Sequence, residues 1–234
     1  MRTRLRNGSA GLTTQARILA AAERLFAERG YHGVSLRQIG DEANAQIALI
    51  NYHFGTKDML YRAVFESRLN PVSERRRAAL ATALACEGGA CKDGRPMIEA
   101  VLDAFARSWI ELSDTEDGRF YTRLIAREVN DPQEAERGIL SDLLDPIAQD
   151  FLAAMERSLP DHDRADVHWA YHFFVGMLTL TMANPKRVNR LSGNLFENQP
   201  HDVVISRLVA FVTSALRADG RSSTAIEAAQ GGSG

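Results

Sequence analysis

The twelve residues from Ile50 to Tyr61, INYHFGTKDMLY, constrain the fold more than any other part of the chain. They put aromatic and basic side chains at the end of one short helical segment and open a second helix at once. Upstream, Ser35 to Ala43 (SLRQIGDEA) starts with an N-cap residue, and Asn44 suits a left-handed turn before a helix that begins near Gln46. The sequence therefore predicts two short helices joined by a tight turn, the helix-turn-helix plan, beside donors that suit a phosphate backbone.

The segment before this pair completes a small helical unit. From Thr13 to Arg29, apolar residues recur at three- and four-residue spacing, which predicts a helix with one buried face, and Gly30 follows as its C-terminal stop. The next helices supply apolar positions for a three-helix core: Ile39, Ala43, Ile50, Phe54 and Leu60.

The run from Ala16 to Phe65 resembles the DNA-binding domain of TetR/AcrR-type transcriptional regulators in residue type and in spacing. The resemblance rests on FAERGYHG at 26–33, the segment 35–43, YHF at 52–54 and KDML at 57–60. It implies an all-α fold, with an N-terminal three-helix helix-turn-helix DNA-binding domain and a C-terminal helical domain for ligand binding and dimerisation. Alternating β-branched residues bounded by turns, the usual signal of strands, do not occur in the sequence.

Charges are divided unevenly along the chain, although its net charge is only −2. Residues 1–68 hold ten Lys and Arg against six Asp and Glu, whereas the remainder holds eighteen against twenty-four. The surplus of cations lies in the part expected to meet phosphate. Arg2, Arg4 and Arg6 alternate in a glycine-containing segment, which predicts a flexible basic arm; contact with phosphate or the minor groove and a solvated tail both stay open.

The helix from Gln46 to Phe54 is expected to lie in the major groove of double-stranded DNA. There a guanidinium offers a fork to guanine, amides pair with base edges, and apolar side chains touch thymine methyls. The residues expected to read bases are Arg37, Gln46, Ile47, Ala48 and Asn51, with Leu49 beside them. A solvated helix charge is the alternative for Arg37, and a helix cap for Gln46. The family often has an aromatic residue where this chain has Asn51, so a relative's base preference is not transferred.

A second group is expected to hold phosphates, which sets the register on DNA without reading sequence. It consists of Ser35, Tyr52, His53, Thr56 and Lys57, with the N-terminal amides of the helix that Thr56 caps. A core aromatic is the alternative for Tyr52, and a helix-start cation without a partner for Lys57. Because a cation in the first turn opposes the helix dipole, the phosphate interpretation is favoured for Lys57.

The rest of the sequence predicts helices without an internal repeat. One is expected to end near Leu69, and Asn70-Pro71 to start the next. The later ranges are Pro96 to Ser113, Arg119 to Val129, Gln133 to Leu159, Arg164 to Ala183 and Asp202 to Ala218. Pro146 is expected to kink or divide the helix 133–159.

Two C-terminal segments are more apolar than one small domain needs. Ala170 to Ala183 is apolar nearly all round, and Val203 to Leu216 has a broad apolar face, so a second subunit is expected to cover part of them. The resemblance implies a homodimer, in which these two helices and their symmetry mates form a four-helix interface. The alternative is a buried helix in a monomer.

Aromatic and thioether side chains between these regions predict a pocket for a small, mainly apolar effector. The expected pocket residues are Phe105, Trp109, Tyr121, Leu124, Glu128, His172 and Met177. Plain core packing is the alternative, since helical spacing does not separate a core from a pocket.

The sequence supports a metal site or an enzyme less well than it supports a DNA-binding protein. His168 and His172 are four residues apart, but HWAYH lacks the Glu of zinc proteases and a third ligand, so we expect no metal, no cofactor and no catalytic residues. Cys86 and Cys91 lie in CEGGAC, and a disulfide is not expected in a reducing compartment. No apolar stretch approaches the ~20 residues of a membrane span, and the N-terminus lacks a signal sequence, which favours the cytoplasm.

These inferences give four expected regions: a basic arm at 1–12, a DNA-binding domain at 13–68, an effector and dimerisation domain at 69–218, and a disordered tail at 219–234. The expected function is a ligand-responsive regulator, with a repressor released from a palindromic operator favoured. The rival classes are a helical metalloenzyme and a ligand-binding protein that has lost DNA binding.

Overall fold

The computed structural model describes residues 13–85, 91, 94–184, 186–195 and 199–219. Within these ranges every regular element is helical, which confirms the all-α prediction. A 3-10 turn at Glu111–Asp114 and a π turn at Leu140–Leu144 accompany the α-helices. The α-helices are α1 Thr14–Arg29, α2 Leu36–Ala43, α3 Ile47–Phe54, α4 Lys57–Leu84, α5 Met97–Ile110, α6 Glu116–Val129, α7 Glu134–Arg137, α8 Asp145–Ser158, α9 Arg164–Ala183, α10 Lys186–Leu191 and α11 His201–Asp219.

The chain forms two compact units, which we call the first and the second unit. The first comprises Met1–Asn70 and Glu116–Leu143, and the second comprises Pro71–Thr115 and Leu144–Gly234. The segment Glu116–Leu143 belongs to the first unit because α6 packs along α1. The basic arm expected at 1–12, and the tail expected at 219–234 apart from Asp219, lie outside the described residues.

Local signals account for the ends of the first helices. The amide of Ala16 donates to the Thr13 hydroxyl, and Gly30 ends α1 with a φ of 74°. Ser35 and Gln38 form a reciprocal capping box at the start of α2. Asn44 ends α2 in the left-handed conformation, as predicted, with a φ of 49° and a ψ of 52°. These caps fix both ends of α2, the first helix of the helix-turn-helix.

The core of the first unit agrees with the periodicity of the sequence. The five core positions predicted from the sequence are all buried: Ile39, Ala43, Ile50, Phe54 and Leu60. Helix α1 packs on α2 and α3, and its Ile18 and Phe26 are fully buried. The helix-turn-helix therefore stands on an apolar core that leaves its polar face free.

Two expected helix boundaries were wrong. Residues 57–84 form one helix without a break at Asn70-Pro71, and we attribute its continuity to buried residues on both sides, including Phe65 and Leu80. The expected helix 133–159 is divided, as predicted, but the division begins at Gly138, which ends α7 with a φ of 63°. Pro146 instead occupies the first turn of α8, where its missing amide hydrogen costs nothing.

The second unit packs α5, α8, α9 and α11 around an apolar core. Phe105 lies at its centre, with ring centroids 4.4 Å from Phe151 and 5.7 Å from Phe174. Arg76 is buried in the same core, where its guanidinium lies 3.8 Å from the Trp109 ring centroid and donates to the Ser108 hydroxyl. The unit thus buries one charged group against aromatic faces.

The remaining features of the fold are the state of Cys91 and the character of the helices with respect to a membrane. Cys91 is disulfide-bonded, contrary to the expectation, while Cys86 lies outside the described residues. Among the described helices, none combines the length and the apolar character needed to cross a membrane.

Candidate nucleic-acid interface

Helix α3 turns its expected reading residues to solvent. Ile50 and Phe54 anchor the helix in the core, and the side chains of Ala48 and Asn51 are exposed on its outside. Ile47 is 43% exposed and Leu49 is 39% exposed, which is unusual for large apolar residues beside polar ones. The helix therefore presents a mixed apolar and amide surface, the chemistry needed to contact thymine methyls and base edges.

Gln46 and Arg37 are available beside this surface. Gln46 occupies the N-cap position of α3, but its side chain makes no capping hydrogen bond. The exposed Arg37 of α2 forms no ion pair with any described residue. Within the described part of the chain, the Gln46 side chain is therefore not used as a cap and the Arg37 side chain is not used in an ion pair.

The angle between α2 and α3 depends on a glycine. A Cβ atom on Gly40 would lie 2.7 Å from the carbonyl oxygen of Ala45, a backbone atom that cannot swing away. The amide of Ala45 also donates to the carbonyl of Gly40, at 2.9 Å. The close approach of Gly40 to Ala45 therefore sets the orientation of α3 relative to α2.

The expected phosphate holders lie around the junction of α3 and α4. Gly55, with a φ of 73°, ends α3, and the Thr56 hydroxyl accepts a hydrogen bond from the Met59 amide at 3.2 Å. Tyr52 is 83% exposed, so it is not a core aromatic. The half-buried His53 ring lies 5.2 Å from the Tyr52 ring, edge to face. The side chains of Tyr52 and His53 and the capped start of α4 thus all lie at the junction of α3 and α4.

Lys57 has a partner that the sequence did not indicate, whereas Ser35 has the capping role that the sequence predicted. The Lys57 ammonium lies 4.2 Å from the centroid of the Tyr31 ring. Partial burial lowers the pKa of Lys57, and the nearby Asp58 carboxylate opposes that shift. The Ser35 hydroxyl is used in the α2 capping box, where it accepts from the Gln38 amide at 3.3 Å.

The segment that follows α5 contributes buried ion pairs to the first unit. Glu128 of α6 is fully buried and accepts hydrogen bonds from the Tyr61 hydroxyl at 2.8 Å and from Arg137 at 3.0 and 3.1 Å. Arg127 donates to the carbonyls of Ala27 and Glu28 at the end of α1. These contacts attach α6 and α7 to α1 and α4, and no local pattern in the sequence indicates them.

The residues expected in an effector pocket are divided between the units. Tyr121, Leu124 and Glu128 are buried in the first unit, and Glu128 is engaged in ion pairs there rather than awaiting a ligand. Phe105, Trp109, His172 and Met177 belong to the second unit. Of these four, His172 is exposed, while Trp109 and Met177 are partly buried against the core. Trp109 and Met177 thus lie beside an apolar core, and the Arg76 guanidinium covers one face of the Trp109 ring.

His168 and His172 do not assemble a metal site in the described residues, where no cluster of three potential ligands occurs. The His168 ring nitrogen lies 3.0 Å from a Glu156 carboxylate oxygen, which also accepts from Arg164 at 2.8 Å. His172 instead meets the edge of the Trp169 ring, with centroids 5.7 Å apart.

Large apolar side chains are exposed on α9 and α11 of the second unit. They are Trp169, Phe173 and Leu180 on α9, and Val203 and Phe211 on α11. Trp169 and Phe173 stack with their centroids 5.5 Å apart. Exposed apolar groups of this size mark an interaction surface.

Two family models match the chain. The model of bacterial regulatory proteins of the tetR family matches residues 18–64, and the model of the tetracyclin repressor-like C-terminal domain matches residues 103–215. Together they match more than half of the 234 residues.

Curated relatives are regulators of both signs. The chain is 38% identical over 90 residues to the HTH-type transcriptional repressor Rv3405c of Mycobacterium tuberculosis, covering 38% of this chain and 47% of that protein. It is 30% identical over 91 residues to the HTH-type transcriptional activator FasR of Mycolicibacterium smegmatis, covering 39% and 38%. The matched stretch thus spans less than half the length of these relatives.

A solved structure shows the same fold over a longer range. The transcriptional regulator FadR from Bacillus subtilis, in complex with stearoyl-CoA, is 16% identical, covers 84% of this chain and 96% of that chain, and has a TM-score of 0.54. The matching models cover both the helix-turn-helix and the C-terminal helices, and the matched relatives are regulators rather than enzymes. This chain therefore belongs to the TetR family of DNA-binding, helix-turn-helix transcriptional regulators.

Proposed function

We propose that this chain is a ligand-responsive repressor that binds an inverted-repeat operator as a homodimer and leaves it when a small molecule binds the second unit. The observation that carries the proposal is the outer face of α3, where Gln46, Ile47, Ala48 and Asn51 are exposed although a folded monomer gains nothing from exposing Ile47.

On this proposal the interface divides its tasks between reading and holding. Arg37, Gln46, Ile47, Ala48 and Asn51 read base edges and thymine methyls in the major groove. Ser35, Tyr52, His53, Thr56 and Lys57 hold phosphates on either side and fix the register. The exposure of Arg37 and Tyr52 supports their reach to DNA.

The exposed apolar surface of α9 and α11 supports the proposed homodimer. Trp169, Phe173, Leu180 and Phe211 are each more than half exposed in the single chain. A two-fold symmetric pairing of these helices removes that surface from water and presents two α3 helices to two half-sites. A palindromic operator is the DNA counterpart of such a dimer.

The effector is a small, mainly apolar molecule that binds near Trp109 and Met177 in the second unit. Trp109 and Met177 are partly buried against a core rich in aromatic rings, which suits an apolar ligand. The B. subtilis regulator of this fold was solved with stearoyl-CoA, so a protein with this architecture takes a ligand with a long apolar chain. Ligand binding favours a spacing of the two α3 helices that no longer fits successive major grooves, and affinity for DNA falls by the coupling free energy. A DNA-binding regulator of this kind works in the cytoplasm.

Selection of bound sequences from a random DNA pool tests the proposal. The wild-type protein is expected to enrich two-fold symmetric sites whose half-site centres are on the order of 10 to 16 base pairs apart. A variant with Arg37→Ala and Asn51→Ala serves as the control, and it is expected to lose the preferred site while retaining salt-sensitive binding. Enrichment of no sequence, or of sites without symmetry, contradicts the proposal.

A further inference from the structure

We propose that Tyr31, in the loop between α1 and α2, is the positioning residue that holds Lys57 ready for a DNA phosphate. The inference rests on the proposed function, because it assigns Lys57 to a phosphate. The sequence predicts that Lys57 holds a phosphate, but it predicts no role for Tyr31.

The Tyr31 ring is fixed on its inner side by the core of the first unit. It stacks on Phe26 of α1 with the centroids 6.1 Å apart, and it meets Tyr61 of α4 edge to face at 5.0 Å. Phe26 and Tyr61 are themselves buried and pack on one another at 4.8 Å. Tyr31 is therefore a rigid platform rather than a mobile loop side chain.

The same side chain engages two consecutive residues in the first turn of α4. The Lys57 ammonium lies 4.2 Å from the ring centroid, within the range of a cation–π contact. The Tyr31 hydroxyl donates a hydrogen bond to the carboxylate of Asp58. Tyr31 thus holds Lys57 through its ring and the start of α4 through its hydroxyl.

The contact with Tyr31 offsets two free-energy costs of using a lysine at the start of a helix to bind a phosphate. A cation in the first turn opposes the helix dipole, and a free lysine side chain loses rotamer entropy when it binds a phosphate. The ring face attracts the ammonium, and fixing the side chain before DNA arrives removes part of the entropy loss on binding. Partial burial lowers the pKa of Lys57, which fits an ammonium held against the protein surface.

A second cation holds the ring in place. The Arg137 guanidinium carbon lies 5.2 Å from the Tyr31 ring centroid. Arg137 is fixed by ion pairs with Glu128 at 3.0 Å and Asp131 at 2.9 Å. The α6–α7 segment of the first unit therefore supports the platform on which Lys57 rests.

A double-mutant cycle with the full-length protein and its selected operator tests the inference. The variants are Tyr31→Leu, Lys57→Ala and both together, and the readout is Kd as a function of salt concentration. Tyr31→Leu is expected to weaken binding about 3- to 10-fold to preferred and unrelated sequences alike, and to reduce the slope of log K against log salt by up to about 0.9, the contribution of one phosphate. In the Lys57→Ala background, Tyr31→Leu is expected to change nothing further.

Equal losses from Tyr31→Leu in both backgrounds would mean that Tyr31 acts through the fold and not through Lys57, and would overturn the inference. So would an unchanged affinity in Tyr31→Leu. If Tyr31→Leu does not fold, as judged by circular dichroism, the cycle is run with Tyr31→Phe. That variant keeps the ring and releases Asp58, so we expect a loss of about 2-fold that again requires Lys57. A wild-type protein that binds no DNA overturns both the proposed function and this inference, whereas a failed cycle with intact wild-type binding overturns this inference alone.

Discussion

The hydroxyl of Tyr61 donates a 2.8 Å hydrogen bond to the fully buried carboxylate of Glu128, 67 residues further along the chain. Arg137 neutralises the same carboxylate through two hydrogen bonds. Burial, and the hydrogen bond to Glu128, raise the pKa of Tyr61, so the phenol remains a neutral donor at all ordinary pH values. One buried carboxylate thus joins α4, α6 and α7 within the first unit.

Glu128→Ala is expected to destabilise the first unit by about 3–5 kcal/mol, because it leaves the nearly buried Arg137 with a single carboxylate partner in Asp131. Glu136→Ala on the exposed side of α7 is the matched control, with an expected change within about 0.5 kcal/mol. The free energy of unfolding in urea measures both. Equal effects of the two substitutions would show that the buried pair contributes little.

Gly40→Ala is expected to destabilise the helix-turn-helix, although alanine normally favours a helix by about 0.5–1 kcal/mol over glycine. The new Cβ would lie 2.7 Å from the Ala45 carbonyl oxygen, and relieving that overlap requires α2 and α3 to move apart, at a cost of about 1–3 kcal/mol. The melting temperature of the variant and its affinity for the operator are both expected to fall. The neighbouring exposed Asp41→Ala is the control, and a Gly40→Ala protein as stable as that control would contradict the steric argument.

The success of the sequence predictions follows the range of the interactions. Ser35, Asn44 and Gly30 were correctly assigned as caps, because a cap depends on a few neighbouring residues. The pairing of Arg127 with the carbonyl of Ala27 joins residues 100 positions apart, and no local pattern encodes it. For the same reason Glu128 was expected in an effector pocket, since its partner Tyr61 is distant in sequence.

The candidate site shows the same limit at closer range. The exposed outer face of α3 follows from helical periodicity once Ile50 and Phe54 are assigned to the core. Tyr31 was missed because an aromatic residue in a loop has no periodicity, and its contact with Lys57 appears only after α4 has packed beside α1.

Readers and holders of DNA are expected to differ in how their variants bind. Arg37→Ala or Asn51→Ala should cost about 1–3 kcal/mol on the preferred operator and relax the preference at particular base pairs. Lys57→Ala should instead weaken binding to every sequence alike and lower the salt slope by about one phosphate, and Tyr52→Phe should also act uniformly. Binding-site profiles for each variant measure the difference, and unchanged profiles for Arg37→Ala and Asn51→Ala would refute their reading role.

Phe173→Glu combined with Phe211→Glu is expected to convert the proposed dimer into monomers. Both rings are more than half exposed in the single chain, and a carboxylate in a dimer interface has no partner to compensate its desolvation. Sedimentation at micromolar concentration measures the state, and affinity for the two-fold symmetric operator should fall with it. Ala153→Glu on the exposed side of α8 is the control and should remain dimeric. A wild-type monomer, or a dimer that survives the double substitution, would contradict the assigned surface.

The effector is expected to act through Trp109 and not through a metal at His168 and His172. Trp109 and Met177 both lie against the apolar core of the second unit, whereas His168 is already engaged by Glu156 and no third ligand lies nearby among the described residues. A ligand that releases DNA should raise Tm, by an amount that corresponds to about 2.7 kcal/mol at 100 times its Kd. Trp109→Ala should blunt both the rise in Tm and the release while leaving DNA binding without ligand intact, and His168→Ala with His172→Ala should leave the response unchanged. A response that chelators abolish, or that the double histidine variant loses while Trp109→Ala keeps it, would replace the apolar pocket with a metal site.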